Sequence, residues 1–235
     1  MVACDLLCGE SLFTYRRSRC PDCLTVLAWY DLIPLVSWVF LRGHCRTCNC
    51  SISYLYPLIE GLTLIIFAGI VIFITPLFWL SYAVLSSALI VTVRTDLQEY
   101  AVSRFMSIYL VPLAWGLSFF NLLPISLGES IGGAVSAYSF LYLLRRVFYW
   151  YARVEGLGMG DVELLACIGA FLGIIGWWAS LLVGACLGSI VGLLYLFFFG
   201  AHRYIRIPFC PFMALGAWIY LFFPEFFMKI ISINS

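Results

Sequence analysis

Charge is scarce in this chain: Asp, Glu, Lys and Arg make up 11% of its 235 residues, where a soluble domain carries about a quarter. Lysine is nearly missing, with Lys229 alone against twelve arginines. There is no run of basic residues and the formal charge is only +1, so nothing offers nucleic acid a footprint. A secretory leader is not expected at the start, because Met1–Gly9 lacks both a basic beginning and a long apolar core. A lipoprotein reading of Leu6-Leu7-Cys8-Gly9 fails on the same ground.

What the chain has instead is apolar length. Residues of the AVILMFWYC set form 64% of it, and stretches near the ~20 residues that cross a bilayer recur from residue 55 onward. This predicts an all-α, polytopic membrane bundle of about seven transmembrane helices with a small cysteine-rich head. The expected spans are Leu55–Ile74, Leu77–Val93, Phe105–Leu123, Ile131–Phe148, Val162–Trp178, Leu181–Phe199 and Phe209–Met228. Backbone groups in lipid must bond within their own segment, which selects helices. Residues 1–54 form the head and 55–235 the membrane domain. Within the head, Val26–Leu41 is apolar but interrupted by Asp31 and Pro34, and reads as an interfacial helix. Numbering the alternating loops puts all twelve arginines on one side and Lys229 on the other. The positive-inside rule then makes the head and the basic loops cytoplasmic.

Two acids stand at that face. Asp96 follows the second span, and Asp161 opens the fifth at the end of Gly156-Leu157-Gly158-Met159-Gly160-Asp161. Gly158 and Gly160 remove side chains where a helix or an extended peptide can approach the backbone. Two carboxylates sharing a proton can hydrolyse a peptide, one activating water while the other protonates the scissile carbonyl. The helix N-terminus favours an ionised Asp161, and the nearby C-terminus a protonated Asp96. A plainer reading has Asp161 capping its helix. Glu99 and Glu163 read as solvated loop or helix-start residues.

The cysteines form a second constellation. Cys20-Pro21-Asp22-Cys23 and Cys45-Arg46-Thr47-Cys48 are CxxC pairs separated by 21 residues, a spacing that suits one structural zinc. A head too short and polar for its own core gains from a metal staple. Cys50 is an alternative to Cys48, and redox or free thiols are the competing reading. Cys167, Cys186 and Cys210 read as small apolar residues. Glu60, inside the first span, is either functional or a carboxylate reaching back toward the head.

Several strings together resemble the type IV prepilin peptidases. They are Gly9-Glu10-Ser11, the two cysteine pairs, Trp29–Trp38, Leu41–Cys48 and Ile52–Glu60. Glu155–Asp161 looks like the family's GxGD motif, and Ile207-Pro208-Phe209-Cys210-Pro211-Phe212 like its last-helix signature. The resemblance implies an aspartic endopeptidase of the bacterial inner membrane, with Asp96 and Asp161 catalytic at the cytoplasmic face. Its substrates would be prepilins or type II secretion pseudopilins, its partners the pilus or secretion assembly machinery and the lipid bilayer. Many members also methylate the new N-terminus with S-adenosylmethionine, using the head. Family members usually carry one more span before Gly9-Glu10-Ser11, and this chain is expected to begin without it. They commonly have Pro-Asp where Ser103 and Arg104 stand here, and often Lys at the position of Glu163. A non-catalytic scaffold of the same fold and another GxGD intramembrane protease are the rival readings.

Overall fold

The computed structural model describes residues 18–20, 22–99, 104–153, 158–199 and 208–232. Gly9-Glu10-Ser11, Pro21, Ser103, Gly156 and the arginines at 16, 17, 203 and 206 lie outside these residues. Among the described residues the regular structure is helical, with two isolated antiparallel bridges and no strand. The helices are α1 (Val36–Phe40), α2 (Leu55–Phe73), α3 (Trp79–Glu99), α4 (Val111–Phe119), α5 (Leu127–Ala152), α6 (Met159–Phe199), α7 (Cys210–Phe222) and α8 (Pro224–Ser232). The chain packs as two compact units, Met1–Ala68 and Gly69–Ser235. The first part of α2 therefore groups with the head.

In the first unit, Val26–Leu41 is not one interfacial helix. It holds a 3-10 turn at Trp29–Leu32 and the single-turn α1. Pro34 and a left-handed Leu35 (φ 61°) separate them, since neither conformation continues a helix. Glu60 accepts the Leu35 N–H at 2.8 Å, so this acid does reach back to the head and satisfies the backbone at the break.

The second unit is built around α6, which packs chiefly on α5 and α7. Small residues allow the close approach. A methyl group on Gly133 would collide with the Gly169 carbonyl, and one on Gly216 would lie 2.6 Å from the Ser180 carbonyl oxygen. Hydroxyls satisfy neighbouring carbonyls, Ser130 of α5 to Ala170 of α6 at 2.6 Å and Ser81 of α3 to Leu122 beyond α4 at 2.7 Å. Apolar side chains such as Ile72, Leu193 and Phe197 face outward, as a lipid-facing surface requires.

Among the described residues, three helices are long and apolar enough to cross a membrane: Leu55–Phe73, Pro76–Gln98 and Met159–Phe198. The helix α5 has 26 residues and replaces the shorter span expected at Ile131–Phe148, with Glu129 and two arginines near its ends. Four of the expected spans take another form. Phe105–Leu123 breaks into 3-10 turns at Arg104–Met106 and Ile108–Leu110 and the nine-residue α4. Phe209–Met228 is divided after Phe222, because Pro224 cannot continue a helix and starts α8 instead. The break expected at Ala179-Ser180 is absent. There the helix runs on, with Ser180 Oγ bonded to the Gly176 carbonyl at 2.7 Å. The kink in α6 falls at Gly173 (φ 72°, ψ −169°), a conformation that only glycine adopts cheaply.

Candidate active site and cysteine cluster

One face of α3 turns inward along Leu85, Leu89, Thr92, Thr95 and Asp96, at the spacing of a helical stripe. Asp96, the last of them, is only 7% exposed. Asp161 sits in the first turn of α6, where its Oδ2 accepts the Gly158 N–H at 3.2 Å. That bond is the helix-capping role, and it leaves Oδ1 for another partner. A Cβ on Gly158 would come within 3.2 Å of the same Oδ2, so glycine there lets the carboxylate fold back. Gly160 lies inside the first turn of α6.

The two aspartates are 65 residues apart in sequence, yet both touch Cys210. The Cys210 N–H donates to Asp96 Oδ2 at 3.2 Å, and its thiol to Asp161 Oδ1 at 3.1 Å. Cys210 opens α7, where backbone N–H groups lack intrahelical partners. Pro211 has no N–H to offer, and those of Phe212 and Met213 turn back to the Phe209 carbonyl. The Cys210 N–H is thus the first-turn donor aimed at a carboxylate. Cys210 is fully buried, but it is not the plain apolar filler the sequence reading assigned. The signal for its role lies in its place between Pro208 and Pro211, at a helix start.

Glu163 also departs from its expected role as a solvated helix-start residue. It is 7% exposed, paired with Arg104 Nε at 3.4 Å and contacted by Ser107 Oγ at 3.4 Å. Arg104 follows Asp96 by eight residues and Glu163 follows Asp161 by two. The pair thus fastens the segment after Asp96 to the helix that carries Asp161. Arg104 and Glu163, two of the three positions where the resemblance leads to other residues being expected, meet here as one ion pair.

In the head, two knuckles repeat the same local geometry. The N–H of Leu24 bonds back to the Cys20 carbonyl, and that of Asn49 to the Cys45 carbonyl, both at 3.0 Å. Each fourth residue is left-handed, Leu24 at φ 55° and Asn49 at φ 60°. The bridges Arg19–Val26 and His44–Ser51 close the knuckles. The result brings the sulfurs of Cys20, Cys23, Cys45 and Cys48 within 4.8 Å of one another. The Cys20–Cys48 separation of 3.8 Å matches the edge of a tetrahedron with Zn–S bonds of about 2.3 Å, which is about 3.8 Å. Backbone N–H groups of Cys48 and Thr47 hold the Cys45 thiol down at about 6. The Thr25 hydroxyl and N–H lower that of Cys23. A lowered thiol favours the thiolate form that a metal needs. Cys50 lies 3.5 Å from Cys20, but it falls outside the group whose four sulfurs converge. The four CxxC cysteines therefore suit a metal such as zinc, and Cys50 does not replace Cys48.

Known protein families match the chain in two stretches. Residues 2–74 match the bacterial peptidase A24 N-terminal domain, and residues 83–197 match the type IV leader peptidase family. A prepilin leader peptidase/N-methyltransferase of Aeromonas hydrophila is 35% identical over 212 residues, covering 87% of this chain and 71% of that protein. The proteins of that name from Pectobacterium carotovorum subsp. carotovorum and Burkholderia pseudomallei (strain 1026b) are each 34% identical. They cover 85% and 88% of this chain, and 71% and 67% of their own lengths. No solved structure matches the chain. On the relatives and the two family models together, this chain belongs to the type IV leader peptidase family.

Proposed function

We propose that this chain is an aspartic endopeptidase of the bacterial inner membrane that removes the short leader of prepilins or pseudopilins, with Asp96 and Asp161 as its working pair. The observation that carries the reading is the convergence of both carboxylates on Cys210. Two acids bonded to the same residue in a largely buried site are placed to couple, one holding a proton while the other is ionised. The ionised member takes a proton from water as the water oxygen attacks the scissile carbonyl carbon. The protonated member gives its proton to the carbonyl oxygen. Collapse of the hydrated intermediate breaks the C–N bond, and the leaving amine takes up a proton. The arginine bias supports a cytoplasmic site, where a leader joined to a hydrophobic pilin helix would meet it. Pilus or type II secretion assembly would consume the product.

The head supports a second activity, N-methylation of the new amine. Its pocket of about 400 Å³, lined in part by Asp31, Trp38, Arg46, Tyr56 and Glu60, has the volume of a small-molecule site. The pocket offers acids for a cationic methyl donor and aromatic faces for a purine. S-adenosylmethionine would supply the methyl group there. Asp31 and Arg46 pair at 2.7 Å with the Arg46 guanidinium 5.0 Å from the Tyr30 ring, which fixes one wall.

The experiment is cleavage of a prepilin-like peptide by purified protein in vesicles, comparing wild type with Asp161→Asn. Loss of cleavage with normal insertion supports the peptidase reading. Unchanged cleavage would replace it with a scaffold or with another active centre.

A further inference from the structure

We infer that Cys210 is a positioning residue for the aspartate pair, orienting Asp161 through its thiol and Asp96 through its backbone N–H. The inference rests on the peptidase reading above and adds a third residue to it. The thiol is 3.1 Å from Asp161 Oδ1 and the N–H 3.2 Å from Asp96 Oδ2, so one residue fixes one oxygen of each carboxylate. A carboxylate oxygen accepts only, so the proton on this contact belongs to sulfur. The geometry is rigid on three sides. Cys210 is 0% exposed, Pro211 restricts its backbone, and α7 packs on α6 and α3. A Cβ on Gly184 of α6 would meet Met213 N at 3.1 Å, so the first turn of α7 cannot shift far from the helix that carries Asp161.

The two contacts respond differently to substitution. Changing the side chain removes the thiol's bond to Asp161 and its contact with the Asp96 carboxyl, and leaves the backbone bond to Asp96. A hydrogen bond to a charged group is among the stronger ones, and sulfur is a weak donor. The expected loss is therefore modest, about tenfold in rate. Alignment affects the chemical step, so the loss should fall on kcat and spare KM.

The test measures kcat and KM for prepilin-peptide cleavage by purified full-length Cys210→Ala, Cys210→Ser and Asp161→Asn, with thermal unfolding of each. The inference expects kcat about tenfold lower in Cys210→Ala at unchanged KM and unfolding temperature. It expects Cys210→Ser, which keeps a donor, to recover most of that loss. Full kcat in Cys210→Ala, equal losses in the alanine and serine variants, or a loss confined to KM would each overturn it. Were Asp161→Asn inactive while Cys210→Ala kept full activity, only the role of Cys210 would fall. Activity in Asp161→Asn would instead remove the peptidase reading beneath it.

Discussion

Reversing the ion pair between Arg104 and Glu163 one charge at a time, and then both together, probes how the two aspartate-bearing segments are held in register. The Glu163 side chain is 9% exposed and that of Arg104 72% exposed, with Nε and Oε1 3.4 Å apart. Two unit charges at about 4 Å interact by about 4 kcal/mol at an effective dielectric of about 20. Exposure of the arginine reduces this to roughly 1–2 kcal/mol. In Arg104→Asp the attraction becomes repulsion, and the buried Glu163 keeps only Ser107 as a neutral partner. The variant should lose about 2–4 kcal/mol, which at ~2–4 °C per kcal/mol lowers the unfolding temperature by at least about 4 °C. Glu163→Lys beside an intact Arg104 should lose a similar amount. Arg104→Asp with Glu163→Lys restores opposite charges. It should return to within about 1 kcal/mol of wild type, a coupling of the size seen for contacting residues. Thermal unfolding in detergent at one scan rate, with peptide cleavage measured alongside, reads all four proteins. A double variant no better than the worse single one, or two silent singles, would refute the strap.

Purified protein should hold about one zinc per chain, and Cys23→Ser should release it and open the head to protease. Metal-free protein with an equally resistant head removes the zinc assignment. Gly133→Ala forces a methyl group against the Gly169 carbonyl and the Gly173 backbone, and should cost about 1–3 kcal/mol or more. Gly128→Ala, on the same helix with open space around it, should be neutral or slightly stabilising in the same unfolding assay. A reagent that cannot cross the membrane should fail, in intact cells, to label single cysteines placed in the arginine-bearing loops, and labelling there would invert the topology.

What could be read from the sequence followed from local spacing. The CxxC pairs fix their own knuckles within about six residues each, so the cluster needs little from the rest of the fold. Asp161 was marked by its glycines and Asp96 by its place at a span end. What escaped was carried by long-range contacts. Glu163 looked solvated because Arg104 and Ser107, its partners, stand 59 and 56 residues away. Cys210 looked like filler because nothing local shows that both aspartates converge on it. The span boundaries failed where hydropathy is blind to backbone geometry. Hydropathy does not record that Ser107 takes φ −120° and ψ −88° between two 3-10 turns, nor that Gly173 bears the kink while Ser180 stays helical.

As a working pair, Asp96 and Asp161 would act as one unit. The most direct measurement is the single-turnover cleavage rate of a prepilin-like peptide by Asp96→Asn, Asp161→Asn and the double variant, each reconstituted at equal density. Residues that act together are non-additive, so each single variant should lose nearly all activity and the double variant should be no slower than either. Retained cleavage in either single variant, or losses that multiply in the double one, would contradict the pair.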